Sequence, residues 1–268
     1  MVMPKVIFRE MTLDENIDTI KWAYYENNDS LAVHNFTVEY FPELAVLDEN
    51  TPKEVVYNKI EEIVTKEYNC YLEKIKSETK RYNDIWQKYN DKYLKLLSDY
   101  LKVDLPSIEV IEGKVGLIPV FPRYLDEFSF SVSIGLEDWL LIKSTAHEVL
   151  HFVWFEKWQQ IHPEITRREY DSPYISWQYS EMVTDPILNN KPFSDIFKDI
   201  FIERGYDSFY ELKDGDNFVM DILRNIYSED IPIEEKINKG YEYVFKILNN
   251  AKSKNIRRIK DGIIRCLW

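Results

Sequence analysis

Glycine, cysteine and positive charge are all scarce in this sequence. Its 268 residues include 7 glycines and 2 cysteines, and 34 lysines and arginines stand against 47 aspartates and glutamates. Cys70 and Cys266 lie far apart and can form neither a disulfide framework nor a CxxC motif, so we expect a reducing compartment. Because glycines are few and tyrosines and charged residues are many, helices are favoured over a β fold with many turns.

The net charge of -13 limits the partners that the chain can bind. Nucleic acid and anionic membranes both need a positive protein surface, so we expect neither as a partner. The basic tail from Lys252 to Arg265 is a local exception, for which a solvated helix face is the simplest interpretation. No apolar run approaches the length of a membrane span, and the first residues, MVMPKVIFRE, lack the features of a signal peptide. We therefore expect a cytoplasmic protein.

Helix signals dominate the first hundred residues. Thr12, with Glu15 three residues later, has the pattern of a capping box at a first helix, whereas residues 31–41 suggest a loop or a short strand. The segment 52–101 contains no glycine and no internal proline, and we predict one or two helices there with a break within 77–83. This segment either covers the rest of the protein or forms a coiled-coil arm of a dimer.

After Pro106 the residue pattern changes from one typical of helices to one typical of strands. Strands are predicted at 108–111, 115–121 and 128–134, followed by helices at 137–158 and from Ser172 onwards. The sequence therefore predicts an α+β fold that is mostly helical, with a small mixed sheet packed against helix 137–158. We expect three regions in one compact unit: a helical covering region 1–105, a core 106–190 and a helical region 191–268.

The segment TAHEVLHFVW, residues 145–154, contains the pattern H-E-x-x-H. On a helix, His147 and His151 lie one turn apart on one face, where both imidazoles can reach one metal ion at about 2.0–2.1 Å. Glu148 is rotated about 100° around the helix axis, which favours contact with a metal-bound water over ligation. Histidines that bond nearby carboxylates for structural reasons are the alternative interpretation.

A catalytic zinc ion needs a third protein ligand and an open fourth position. No H-x-x-G-x-x-H follows His151, which excludes a metzincin. Glu181 is the best candidate, because it lies on the helix predicted after Ser172, with Asp185 one turn further along the same face. The other candidates for the third ligand are Glu156, His162, Glu164 and Glu169.

The combination of HEVLH and the downstream SEMVTD resembles the gluzincins, the thermolysin-like zinc peptidases. The resemblance covers about 140–190 and implies a zincin-like fold with 106–190 as catalytic core. It also implies that His147, His151 and Glu181 bind Zn2+, that Glu148 is the general base and that Asp185 supports a histidine ligand. The 30 residues from His151 to Glu181 exceed the family's spacing, so the intervening chain must loop out.

Two further gluzincin features are harder to locate in this sequence. The substrate-binding edge strand is predicted at 128–134, with Ser129, Ser131 and Ser133 toward the cleft, and 115–121 is the alternative. The donor for the oxyanion is predicted to be Tyr241 or Tyr243, which lie about sixty residues beyond Glu181, a separation similar to that in the family. Pro186 predicts a helix end or a kink at Asp185.

The sequence thus predicts a zinc-dependent hydrolase, with a peptide or protein as the substrate. One alternative is a catalytically silent scaffold that binds other proteins through the helical segment 52–101. Another is a zinc hydrolase that acts on an amide or ester other than a peptide. The sequence does not predict the oligomeric state.

Overall fold

Helices make up about 66% of the protein, and a small mixed sheet accompanies them. The computed structural model describes residues 3–26, 31–47, 50–105, 108–118, 120–198 and 200–253. Among these residues the helices are α1 (Leu13–Lys21), α2 (Leu31–Tyr40), α3 (Lys53–Trp86), α4 (Asn90–Leu101), α5 (Asp138–Ile161), α6 (Ile175–Leu188), α7 (Phe193–Phe197), α8 (Asp207–Glu211), α9 (Val219–Ser228) and α10 (Ile233–Ser253). The strands are β1 (Lys5–Glu10), β2 (Val110–Gly116), β3 (Arg123–Tyr124), β4 (Ser129–Ser133), β5 (Lys213–Asp214) and β6 (Asn217–Phe218).

Four strands form the main sheet in the order β1-β2-β4-β3. β1, β2 and β4 run parallel, and the two-residue β3 pairs antiparallel with β4. Gly113 on β2 lies opposite Phe8, and a Cβ at this glycine would fall 2.4 Å from the phenylalanine ring. The sheet therefore needs glycine at this position. β1 is absent from the sequence prediction, and the predicted strands 108–111 and 115–121 correspond to the single strand β2.

The chain divides into two compact units. One consists of Pro4–Asn90 and Ile108–Glu148, and the other includes the described residues within 91–107 and 149–268. The boundary falls within the continuous helix α5, so this helix belongs to both units. This division differs from the three predicted regions because β1 pairs with β2 and so joins the N-terminal helices to the sheet.

Helix α3 covers the core of the N-terminal unit. It packs against α1, β1 and β2, and its apolar stripe is buried in that core: Val56, Ile60, Ile63, Val64 and Ile75. The break in the predicted segment 52–101 falls at 87–89, after the predicted position 77–83. Burial of the stripe within its own unit agrees with the covering interpretation.

Side-chain amides from α3, from the following turn and from the first residue of α4 bind the outer edge of β1. Asn83 accepts from the Phe8 N–H at 2.9 Å and donates to the Phe8 carbonyl at 2.8 Å. Asn90 accepts from the Val6 N–H at 2.9 Å, and Gln87 donates to the Val6 carbonyl at 2.9 Å. Because an unpaired strand edge can bind other chains, these bonds close this edge of the sheet.

Several local predictions can be compared with the structure. The capping box of Thr12 and Glu15 is confirmed at the start of α1. Most of the segment 31–41 forms helix α2, Leu31–Tyr40, despite the β-branched Val33, Thr37 and Val38, whose preference for strands is overridden by packing. Most of the basic tail and Cys266 lie outside the described residues. Within the part of the chain that is described, no helix is both long and apolar enough to cross a membrane.

A tight turn connects the sheet to helix α5. Gly135, at φ +77°, supplies the left-handed conformation that follows β4. The hydroxyl of Tyr82 donates to the Ser133 carbonyl at 2.8 Å and accepts from the Leu136 N–H at 2.9 Å. The end of β4 and the turn that precedes α5 are therefore fixed by the same side chain.

Candidate metal centre

The two histidines of the motif lie on the central part of α5. His147 is 4% exposed and His151 is fully buried. The segment is buried on almost all sides because its other residues are mostly apolar: Ala146, Val149, Leu150, Phe152, Val153 and Trp154. Two imidazoles in such surroundings need polar or metal partners.

Glu181 on α6 lies next to the second histidine. Its Oε1 atom is 3.4 Å from the Nε2 atom of His151, and only 5% of the residue is exposed. Among the described residues, His147, His151 and Glu181 form the one group of potential metal ligands whose donor atoms all lie within 4.8 Å of one another. The structure therefore brings together the three residues predicted as ligands.

The donor set fits a zinc ion. Two imidazole nitrogens and one carboxylate oxygen are the ligands of many catalytic zinc sites, which leave a fourth position open. Two ligand atoms at about 2.1 Å from a tetrahedral ion are about 3.4 Å apart. The separation of 3.4 Å between His151 and Glu181 matches this value.

Glu148 is buried beside an arginine that the sequence prediction did not include. The Nη1 atom of Arg123, on β3, donates to the Oε2 atom of Glu148 at 3.2 Å. The exposed side-chain fractions are 9% for Arg123 and 5% for Glu148. No spacing in the sequence connects an arginine in FPRYLD with a motif 25 residues later, so only the folded structure reveals this neighbour.

Asp185 does not support a histidine ligand, and this prediction was wrong. Its carboxylate accepts from Arg224 at 3.1 and 2.7 Å and from the hydroxyl of Tyr210 at 2.7 Å. The hydrogen bond to Asp185 raises the pKa of Arg224, and burial together with the charge of Asp185 raises the pKa of Tyr210. α6 continues through Pro186 to Leu188, so Asp185 lies within the last turn of the helix.

The two tyrosines predicted as oxyanion donors pack away from the group of His147, His151 and Glu181. The ring of Tyr241 packs against Trp158 at a centroid distance of 4.8 Å, and Trp158 is seven residues, or about 10 Å along the helix, beyond His151. Burial and the charge of Asp214 raise the pKa of Tyr243 to about 12. The structure therefore gives neither tyrosine a contact with the metal centre.

The alternative third ligands have structural roles of their own. Glu169 accepts from Thr166 in a capping box, and Glu164 bonds to Nδ1 of His162 at 3.2 Å. The ring of His162 packs on Trp158 at 4.2 Å. Glu156 is half-buried on α5. None of the four belongs to the group that the described residues form around His147 and His151.

The predicted edge strand is an inner strand. β4 lies between β2 and β3, and Ser129, Ser131 and Ser133 are all buried. The alternative segment 115–121 also fails, since its strand part belongs to the inner strand β2. The alternation of phenylalanine and serine predicted a strand with one open face, but both faces of β4 are covered.

Comparisons of the chain with protein-family models, with curated proteins and with solved structures found no match.

Proposed function

We propose that this protein is a zinc-dependent hydrolase that acts on peptides. The observation that carries the proposal is the buried group of His147, His151 and Glu181, with the carboxylate 3.4 Å from the second imidazole. The order HExxH followed by a glutamate on a later helix supports a gluzincin-like site. A zincin-like arrangement of the surrounding fold is part of the same proposal.

Glu148 has the position of a general base in this proposal. His147, His151 and Glu181 would hold the zinc ion, which would lower the pKa of a bound water to about 7 and polarise the substrate carbonyl. Glu148 would accept a proton from the attacking water and then donate it to the leaving nitrogen. Its neighbours on α5 hold it close to both histidines, and its burial keeps bulk water from competing for the proton.

No specific observation favours the interaction-module alternative. Binding of a partner through α3 would need an exposed apolar stripe, and the described stripe is buried in its own unit. The choice between a peptide bond and another amide or ester depends on the substrate pocket. Profiling against peptide and ester libraries would separate the two.

Metal analysis and two substitutions test the proposal. We expect close to one zinc ion per chain in wild-type protein and in Glu148→Gln, and loss of peptide hydrolysis only in the variant. Glu181→Ala should lower zinc affinity by at least about 100-fold, because one of three ligands is missing. Glu164→Ala, which removes an exposed carboxylate, is the control. Absence of bound zinc, or full hydrolysis by Glu148→Gln, would contradict the proposal.

A further inference from the structure

Arg123 places a buried positive charge beside the proposed general base. Its side chain is 9% exposed, and its Nη1 atom lies 3.2 Å from the Oε2 atom of Glu148. The residue begins β3, a two-residue strand at the end of the sheet opposite β1. Burying a guanidinium is costly unless it is paired, and the carboxylate of Glu148 supplies such a pair.

The chemistry of the proposed reaction points to a second role for this arginine. Glu148 must approach the leaving nitrogen within hydrogen-bond distance, about 3 Å, in order to protonate it. If the leaving group is a single C-terminal residue, its carboxylate carbon is two bonds from that nitrogen, with bond lengths of about 1.46 and 1.52 Å. A cation that is hydrogen-bonded to Glu148 is therefore within reach of this carboxylate.

The guanidinium group suits this double contact. It carries five N–H donors in a planar fork, so it can bind a carboxylate with two of them while another donates to Glu148. An internal peptide would bring an uncharged amide to the same position. Such a peptide gains no charged hydrogen bond from Arg123, so a free C-terminal carboxylate should bind more tightly than an internal sequence.

We infer that Arg123 binds the C-terminal carboxylate of the substrate and that the enzyme is a carboxypeptidase. The inference rests on the proposed zinc hydrolysis and adds the substrate class to it. Water adds hydroxide to the last peptide carbonyl and a proton to the leaving nitrogen. The C–N bond breaks, and the products are a shortened peptide with a new carboxylate and one free amino acid.

The test compares N-acetylated peptides that differ only in a free or an amidated C-terminus. Zinc-loaded wild-type protein should release the last residue of the free acid with a kcat/KM at least about 10-fold above that of the amide, the value expected for one charged hydrogen-bonded contact. Because Arg123 also pairs with Glu148, Arg123→Ala should slow both reactions, but it should lower the ratio of kcat/KM for the free acid to that for the amide by about 10-fold or more, toward one. Arg123→Lys should recover part of the loss. Arg9→Ala removes an arginine that pairs with Glu15 and Glu112, and serves as the control.

Further measurements distinguish loss of carboxylate binding from loss of the folded structure. Circular dichroism and zinc content should be unchanged in Arg123→Ala, while calorimetry should show weaker binding of an acetyl-amino acid that has a free carboxylate. Equal cleavage and binding of acid and amide by wild-type protein would overturn the inference. Cleavage of internal peptide bonds that depends on zinc and Glu148 would overturn the carboxypeptidase inference and leave the proposed zinc-dependent hydrolysis intact. Absence of bound zinc would overturn both proposals.

Discussion

Glu181 and Asp185 lie one turn apart on α6, yet they have different partners. Glu181 lies 3.4 Å from His151, whereas both oxygens of Asp185 accept from Arg224 and Tyr210. Spacing along the helix placed both carboxylates on one face and so predicted a shared role. The elements packed against the helix, α8 and α9, determine which donors each carboxylate meets.

Substitution of Asp185 separates stability from metal binding. We expect Asp185→Asn to lower the free energy of unfolding by about 2 kcal/mol, because it weakens hydrogen bonds to a charged group that is 2% exposed. Zinc affinity should stay unchanged. Lys239→Ala, which breaks an ion pair at the surface with Glu229, should cost about 1 kcal/mol or less.

Denaturant unfolding and zinc titration against a competing chelator measure the two effects. A residue that orients a histidine ligand would behave differently, since its loss lowers metal affinity by about 10- to 100-fold. A decrease of that size in the zinc affinity of Asp185→Asn would show that Asp185 does orient a histidine ligand.

At the scale of elements, α3 stabilises the sheet through hydrogen bonds to β1. Asn83→Ala removes the side-chain oxygen that accepts from the Phe8 N–H and the amide group that donates to the Phe8 carbonyl. The free energy of unfolding should fall by about 2 kcal/mol. Hydrogen exchange at the Phe8 amide should accelerate in the same variant. Asn58→Ala on the exposed side of α3 is the control. Unchanged exchange at Phe8 would show that the edge bond contributes little.

The start of α1 carries a pH-dependent contribution to stability. The hydrogen bond from Arg9 lowers the pKa of Glu15 from 4.5 to about 2. Because the pKa is lower in the folded protein, the stabilisation is complete above about 4.5 and is lost as the pH falls toward 2. Both side chains are about one-third exposed, so solvent screening limits the contribution to about 1 kcal/mol.

Glu15→Gln removes this charge and keeps a side chain that suits the capping box. At pH 7 the variant should be less stable than wild-type protein by about 1 kcal/mol. The difference should shrink as unfolding is measured at pH values from 5 down to 3. Glu43→Gln, on an exposed turn, is the control. A difference that stays constant with pH would contradict the assignment.

At the scale of the whole molecule, metal binding should stabilise the folded chain. The proposed ligands are brought together by folding, so a zinc ion held by them would bind the native state in preference to the unfolded state. Zinc at about 1,000 times its Kd should add about 4 kcal/mol to the free energy of unfolding. Calorimetry with zinc or with a chelator measures the change, and His147→Ala should abolish it. An unchanged melting temperature would contradict zinc binding.

Prediction from sequence succeeded where a pattern is local and long. Helix α5, helix α6 and the cap at Thr12 follow from periodicity and from side chains that satisfy their own helix ends. β1 and α2 were missed because a six-residue strand and a helix with β-branched residues depend on their packing. The edge position of β4 was wrong for a similar reason, since strand order is not encoded in one strand.

The sequence by itself determined the metal ligands as a hypothesis: the spacing of His147 and His151 requires one helix face, and Glu181 follows on a second helix. Only the tertiary structure decided which carboxylate approaches His151, that Arg224 and Tyr210 bind Asp185, and that Arg123 lies against Glu148. The physical reason is that helical spacing fixes neighbours within a few residues. Contacts between residues far apart in the chain depend on how the elements pack.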